Sequence, residues 1–443
     1  MRIDRFVLSI GAATLFIGSG LLANGEEPTN LGEFLGQEAG WVSLFDGKSL
    51  AGWTGDTKGY EVVDGAITCT PKGRNLITEK QYADFLLDFE FKLAPGSNNG
   101  LAIRYPGKGD AAYVGMELQV LDDTADKYKG LKEWQFHGSI YGVVAAKPGQ
   151  LKPVGEWNRQ QVIAVGGHIK IVLNGEVIVD VYDIADAKPI HDAKHPGLQR
   201  ESGHIGFCGH GDFVAFRNLR VMDFSETAKD LGETKNKAPQ GFSELFNGES
   251  LEGWKGLVAN PIKRAAMSPE VLAKAQGKAD ESMNAHWKVA AGELVFDGKG
   301  QNLCTNGKYG DFDFYVDWKI PSNADSGIYL RGSPQVQIWD PANPGQKQHG
   351  NEFGSGGLWN QQKSPRDPIA KADNPIGEWN TFYIRMVGER VNIWLNGTKV
   401  VDNQVMENVW DRKQPIFREE QIELQNHGQQ LWFKNVYVRE LPY

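Results

Sequence analysis

Four side chains between residues 100 and 142 could together move protons on a polyhydroxylated substrate. Arg104, Glu117, His137 and Tyr141 supply a cation, a carboxylate, an imidazole and a phenol. A carboxylate or an imidazole can accept a proton and a phenol can donate one, which is the basis of general acid–base catalysis. A structural interpretation competes with this one, because Arg104 and Glu117 could form an ion pair and a charged strand face can simply be solvated.

The strand that carries Glu117 predicts the direction of its side chain. Glu117 and Gln119 alternate with Met116, Leu118 and Val120. Successive side chains of a strand point to opposite faces, so the three apolar residues are expected to face the core and the two polar residues the other side. We therefore expect Glu117 to be catalytic and Gln119 to bind substrate on that second face.

The sequence contains two copies of one pattern. The second copy contains an insert near its start, at residues 257–286, that has no counterpart in the first copy. Ser268 followed by Pro269 and Glu270 predicts that this insert is helical, because serine caps helices and proline favours the first helical turn. The matched segments are 44–50 with 245–251, 75–78 with 302–305, 155–158 with 377–380, 173–175 with 395–397, and 216–218 with 433–435.

The second copy differs from the first at the candidate base. Arg331 matches Arg104, but Gln335 stands at the position of Glu117. An amide cannot accept a proton, so the second copy is expected to be a binding module or an enzyme with a different site. Arg331, Gln335 and Gln337 are its predicted substrate-binding residues.

Two histidines and two tryptophans complete the predicted binding residues. His210 and His427 precede a glycine at matching places in the two copies. Each histidine could bind substrate, or it could be a turn residue that bonds the backbone. Trp134 and Trp359 lie in the segments that carry the other candidates, and their flat apolar rings suit the C–H face of a sugar.

Both copies are predicted to be all-β. Residues 169–180 are apolar on both sides of Asn174-Gly175, which predicts a tight hairpin, and residues 391–402 repeat the pattern. Many short strands in copies of this length predict two tandem antiparallel jelly-roll β-sandwiches. The expected boundaries are 40–224 for the first domain, 225–240 for a linker, and 241–443 for the second domain with its helical insert at 257–286.

The N-terminus predicts export. Arg2 and Arg5 precede an apolar run from Phe6 to Ala23, which is typical of a secretory signal at residues 1–25. An uncleaved membrane anchor is the alternative, although glycine and serine interrupt the run. A periplasmic or secreted protein without a further membrane span is expected.

Composition excludes several classes of protein. The net charge of -9 argues against nucleic acid as a partner, because phosphate binding requires a basic surface. Three cysteines without a Cys-x-x-Cys pair predict neither a disulfide framework nor a structural zinc site. The sequence sets neither the oligomeric state nor the metal content.

Taken in order, several segments of the first copy make up a family pattern. They are residues 44–47 with 52–53, 115–122, 137–142, 155–158 and 216–218. This pattern resembles the 3-keto-disaccharide hydrolase domain family, and it extends over nearly everything after residue 40, twice. The resemblance implies a concanavalin A-like lectin and glucanase fold, a carbohydrate partner, and activity on 3-keto-glycosides.

The resemblance also implies a chemical route. A keto group at C3 acidifies the C2 proton, a base removes it, the resulting enolate expels the group on C1, and water then adds. Glu117 or His137 would be the base, Arg104 or a bound divalent cation would stabilise the enolate, and Tyr141 would protonate the leaving oxygen. No cofactor beyond that cation is implied.

Two other functions remain open. A lectin-like protein of the same fold would bind carbohydrate without cleaving it, since fold does not determine function. An ordinary glycosidase would need a pair of carboxylates flanking the bond, and no such pair is evident in either copy.

Overall fold

The computed structural model of the chain describes residues 31–36, 40–191, 194–224, 235–239 and 241–442. The predicted signal segment lies outside the described residues, and so does most of the predicted linker. Within the described ranges, no helix is both long enough and apolar enough to cross a membrane. A short helix, α1 (Leu31–Gly36), precedes the first sandwich.

The first domain is a sandwich of two antiparallel sheets. Its helix α2 spans Ala111–Val114, and its 3-10 turns are Thr57–Gly59, Asp126–Tyr128, Glu133–Gln135, Ile184–Asp186 and Pro196–Gln199. Its strands are β1 (Trp41–Ser43), β2 (Trp53–Gly55), β3 (Tyr60–Val63), β4 (Ala66–Cys69), β5 (Asn75–Tyr82), β6 (Phe85–Leu93), β7 (Asn98–Tyr105), β8 (Met116–Leu121), β9 (Trp157–Val165), β10 (His168–Leu173), β11 (Glu176–Val181), β12 (Gly203–Gly209) and β13 (Val214–Asp223). The large sheet has the order β11-β10-β9-β6-β13-β4-β3 with β1 beside β13, and the small sheet has the order β2-β5-β12-β7-β8.

The second domain repeats this arrangement. Its helices are α3 (Pro261–Ala265) and α4 (Pro269–His286), and its 3-10 turns are Pro344–His349 and Asn351–Phe353. Its strands are β14 (Ser243–Glu244), β15 (Trp254–Gly256), β16 (Trp287–Ala290), β17 (Glu293–Asp297), β18 (Leu303–Thr305), β19 (Phe312–Lys319), β20 (Asp325–Tyr329), β21 (Gln335–Trp339), β22 (Asn380–Val387), β23 (Arg390–Leu395), β24 (Thr398–Val405), β25 (Glu423–Leu424) and β26 (Gln430–Glu440). The small sheet has the order β15-β18-β25-β20-β21, matching that of the first domain.

This architecture confirms the predicted fold class, two tandem sandwiches with a helical insert in the second. Ser268 caps α4 by accepting a hydrogen bond from the amide of Val271. The predicted hairpins are also present, because Asn174 and Gly175 between β10 and β11 both have positive φ angles, of 53° and 95°. Left-handed backbone at both central residues matches the right-handed twist of the flanking strands, and few residues other than asparagine and glycine accept it.

The core of each domain lies between its two sheets. On β6, alternate residues such as Phe85, Phe89 and Phe91 are fully buried in the first core. The rings of Phe207 in the small sheet and Phe216 in the large sheet stack across the sandwich with centroids 3.7 Å apart. Burial of each large aromatic side chain contributes about 2–3 kcal/mol, so these contacts hold the small sheet, and the site on its other face, in place.

A buried ionic contact joins the two domains. Arg385 of β22 bonds both carboxylate oxygens of Asp313 in its own domain, at 2.7 and 2.9 Å. The same guanidinium contacts the carboxylate of Asp84 and the carbonyl oxygen of Phe224 in the first domain. Its planar fork satisfies acceptors from both domains at once, which fixes one sandwich against the other.

Candidate functional site

A cleft of about 300 Å³ opens on the face of the first small sheet that points away from the core. Strands β7 and β8 form its floor, and the loop after β8 and helix α2 form its walls. Its lining residues are Asn98, Asp110, Ala112, Tyr113, Glu117, Gln119, Leu121, Tyr128, Leu131, Gln135, Tyr141 and His210.

A carboxylate–imidazole pair lies in this cleft. Met116, Leu118 and Val120 pack in the core, so Glu117 points to the other face of β8, as the alternation predicts. Its Oε1 lies 3.1 Å from Nε2 of His210, which comes directly after β12. The hydrogen bond to Glu117 raises the pKa of His210, so the imidazole is more readily protonated than a free one.

The floor beside Glu117 is built to admit its side chain. Gly100 of β7 lies directly under the carboxylate, and a methyl group added there would overlap three atoms of the Glu117 side chain. Farther along the floor, the Gln119 amide donates a hydrogen bond of 2.7 Å to Oδ1 of Asn98. Sequence reasoning missed both Gly100 and Asn98, although a glycine inside a strand is a signal of close approach.

Phenol rings line the wall of the cleft. Tyr141 belongs to the predicted set, whereas Tyr113 and Tyr128 were not predicted. Trp134, which was predicted to bind substrate, is not among the residues that line the cleft; it packs edge-on against Tyr141 with ring centroids 4.9 Å apart. Burial raises the pKa of Tyr113, which keeps its hydroxyl protonated and able to donate.

The structure does not bring His137 to the cleft. Its side chain is buried in the sandwich, where it stacks on Phe91 with ring centroids 4.9 Å apart. Nδ1 accepts a hydrogen bond from the amide of Leu121, and Nε2 lies 3.0 Å from Oε1 of Gln160. Burial lowers the pKa of His137 to about 4, so the ring is neutral and occupied with structural bonds.

Arg104 is also held away from the cleft. Its guanidinium bonds the carbonyl oxygens of Ala83 and Arg200 and lies 3.5 Å from Asp84. Arg331 does the same in the second domain, where it bonds the carbonyl of Arg418 and lies 3.7 Å from Asp311. Both side chains are 3% exposed, so the two arginines brace equivalent corners of the sandwiches.

The equivalent face of the second domain has its own polar row. Gln335 donates to Oε1 of Gln337 and to Oε1 of Gln425, each at 2.8 Å. Gln337 in turn donates to Oδ1 of Asp325 at 2.7 Å, and His427 lies 3.9 Å from the other oxygen of that carboxylate. The row therefore ends in a carboxylate that sequence reasoning missed.

Aromatic side chains flank this second row. Trp359 is half-buried and meets both Trp339 and His349 edge-on, with ring centroids 5.4 and 5.3 Å apart. The guanidinium of Arg366 lies over the Trp359 ring. A ring held from three sides offers a fixed apolar surface, which is what a sugar ring requires.

No metal cluster is evident in the described parts of the chain, where no three or more His, Cys, Asp and Glu side chains are grouped to hold an ion. The three cysteines, Cys69, Cys208 and Cys304, are buried and unpaired. Burial raises the pKa of each thiol, so none is an activated nucleophile.

Comparison with known proteins fits this picture of two like domains. A 3-keto-disaccharide hydrolase of Bacteroides thetaiotaomicron is 28% identical over an alignment of 225 residues, and the match covers 41% of this chain and 78% of that protein. A candidate glycosyl hydrolase of known structure from Parabacteroides distasonis is 28% identical, with a TM-score of 0.38 over 41% of this chain and 98% of its own. The carbohydrate-binding module CBM66 of Bacillus subtilis is 14% identical, with a TM-score of 0.24 over 41% of this chain and 94% of its own. A profile of the family described as 3-keto-alpha-glucoside-1,2-lyase-like domain matches residues 40–222 and 241–439, so the chain belongs to that family and contains two copies of its domain.

Proposed function

We propose that the first domain cleaves the glycosidic bond of 3-keto-glycosides by removing the proton on C2, with Glu117 as the base. The observation that carries this proposal is the Glu117–His210 pair in a cleft large enough for a sugar. Family membership and the name of the Bacteroides relative support the substrate class.

The chemistry needs one base and a donor to the ketone oxygen. Glu117 takes the C2 proton, and the electron pair of that bond forms the enolate with the C3 ketone. The His210 imidazole orients the carboxylate through its hydrogen bond of 3.1 Å. The Gln119 amide, on the same strand, is placed to donate to the developing enolate oxygen, the role first expected for Arg104.

The second half of the reaction expels the group on C1. The enolate electrons form the C1–C2 double bond as the C1–O bond breaks, and the leaving oxygen takes a proton from the phenol of Tyr141 or Tyr113. Water then adds its hydroxyl to C1 and gives its other proton back to the tyrosine, and Glu117 returns its proton to C2. The sum is one glycoside plus one water giving a free 3-keto-sugar and the released alcohol.

The test follows both bond cleavage and proton exchange. Purified protein is incubated in heavy water with a nitrophenyl 3-keto-glucoside and with the parent glucoside. We expect nitrophenol release and deuterium at C2 from the 3-keto-glucoside alone. Glu117→Gln should lower both signals at least 100-fold, as loss of a general base costs 10²–10⁴-fold.

A matched control is Glu90→Gln, which alters a half-exposed glutamate paired with Arg217 on the large sheet. It should leave both signals unchanged. Binding of both sugars without release would instead establish the lectin-like alternative, and cleavage of the parent glucoside without exchange would establish an ordinary glycosidase.

We also propose that the protein is exported to the periplasm or the medium. The support is the basic and apolar pattern of residues 2–23. N-terminal sequencing of the mature protein from cell fractions tests this, and an intact Met1 in the cytoplasmic fraction contradicts it.

A further inference from the structure

The clearest difference between the two small sheets is the location of their carboxylate. Strand register makes Asn98 equivalent to Asp325, because each lies two residues before a glycine that pairs with a glutamine of the edge strand. The same register makes Glu117 equivalent to Gln335. An amide and a carboxylate have therefore exchanged places, and each row keeps one of the two acids.

The exchange preserves contact with the equivalent imidazole. His210 and His427 occupy the same place after the central strand of the small sheet, and each faces the acid of its own row. Glu117 approaches from the edge strand in the first domain, whereas Asp325 approaches from its neighbour in the second. Gln335 could not replace Glu117, since its amide nitrogen is engaged by three acceptors.

Asp325 is held as a base would be held. The side chain is 11% exposed, and its two oxygens accept hydrogen bonds from Gln337 at 2.7 Å and Gln346 at 3.3 Å. Burial raises the pKa of this carboxyl group, while His427 and His349 act in the opposite direction. A carboxylate in such surroundings is a better proton acceptor than one in water.

The surroundings of the acid point to a different sugar orientation. Tyr329 stands where the first domain has Ala102, and Glu423 stands where it has Gly206, so larger buried side chains fill the Gln335 end of the second face. At the Asp325 end, Trp339 lies opposite Asp325 in the strand register, and its ring meets that of Trp359 with centroids 5.4 Å apart. A sugar that stacks on Trp359 would meet its base from the other end of the row.

We propose that the second domain is a second glycoside-cleaving site, in which Asp325 takes the role of Glu117 as the base and His427 donates the proton that a tyrosine donates in the first domain. This inference rests on the function proposed for the first domain. The substrate of the second site is a 3-keto-glycoside of different anomeric or ring configuration. Asp325 removes the C2 proton, the C1–O bond breaks with formation of the C1–C2 double bond, and the imidazolium of His427 protonates the leaving oxygen. Water then adds its hydroxyl to C1 and gives its other proton back to His427, and Asp325 returns the proton to C2.

The test uses the full chain in a background without the first site. Glu117→Gln is combined with Asp325→Asn, and separately with Glu423→Gln as a matched control for a buried acid of the same face. The substrates are nitrophenyl 3-keto-glycosides of glucose and galactose, each as the α and the β anomer. Thermal unfolding of every variant establishes that both domains are folded.

The expected result is that Glu117→Gln keeps activity on part of this panel. Asp325→Asn should lower that residual activity at least 100-fold, and Glu423→Gln should leave it unchanged. Loss of activity on every substrate in Glu117→Gln overturns the second site but supports the first. Residual activity that survives Asp325→Asn, or that disappears in Glu423→Gln, also overturns it. Wild-type activity on every substrate, both in Glu117→Gln and in the double variant Glu117→Gln with Asp325→Asn, would refute the proposed function itself.

Discussion

Gly100→Ala should inactivate the first site without changing any chemical group in it. The added methyl group would overlap Oε1, Cδ and Cγ of Glu117. Ordinary contact between such atoms needs roughly 3.5 Å, so the carboxylate must move by more than about 1 Å. The backbone itself accepts alanine, because Gly100 lies in β7 and does not have a positive φ angle.

The size of the effect follows from the sensitivity of proton transfer to position. A displacement of about 1 Å costs up to about 100-fold in rate, which corresponds to about 2.7 kcal/mol in the activation free energy. We expect kcat/KM for the first-site substrate to fall by about that factor. The readout is release of nitrophenol together with deuterium exchange at C2, measured side by side with the wild-type protein.

The chain contains its own control for this substitution. Gly327 is the equivalent glycine of the second domain, and a methyl group there would overlap the side chain of Gln335 in the same way. Gly327→Ala should therefore show a similar change in thermal stability with full activity on the first-site substrate. Full activity of a folded Gly100→Ala protein would refute the assignment of Glu117 as the base.

Two further predictions concern stability. Burial lowers the pKa of His137 to about 4, whereas in the unfolded chain it lies near 6.5, so the unfolded state binds more protons in that range. The free energy of unfolding should therefore fall by roughly 3 kcal/mol as the pH drops from about 6.5 to 4, and His137→Gln should flatten this dependence in thermal unfolding; an unchanged slope would contradict it. Arg385→Leu should cost about 3–5 kcal/mol, because Asp84 and Asp313 lose a buried partner, and calorimetry should then resolve separate domain transitions. Arg217→Leu, at a half-exposed pair, should cost less than about 1 kcal/mol, and equal losses in the two variants would refute the distinction.

The fold was predictable because its signals are local. Alternation on β8, the Asn-Gly hairpins and the capped insert are all patterns of adjacent residues. Repetition strengthened the hairpin signal, since two copies had to give the same interpretation. The direction of Glu117 could be predicted for the same reason, because it depends only on its neighbours in one strand.

The composition of the site could not be predicted in the same way. His137 lies in a turn outside the strands, so no alternation predicts its direction, and only tertiary packing shows that it faces the core. Asp325 was missed because its importance depends on pairing between β20 and β21, which no local pattern reports. Arg104 was assigned to the cleft for a similar reason, since its corner is formed by residues distant in sequence.

The two copies allow polar residues that hold the fold to be separated from those that set the chemistry. Asn158 accepts hydrogen bonds from the amide of Lys152 and the side chain of Asn174, and Asn380 accepts the same pair from Asn374 and Asn396. Such shared residues brace turns or corners that each sandwich needs, so their repetition reports a requirement of the fold. The exchanged amide and acid, Asn98 and Asp325, keep one shared contact, a hydrogen bond from Gln119 or Gln337, but the exchange places the carboxylate on a different strand in each domain. The repeated histidine, His210 or His427, marks the face in this chain, and the paired difference between the small sheets locates the acid on that face.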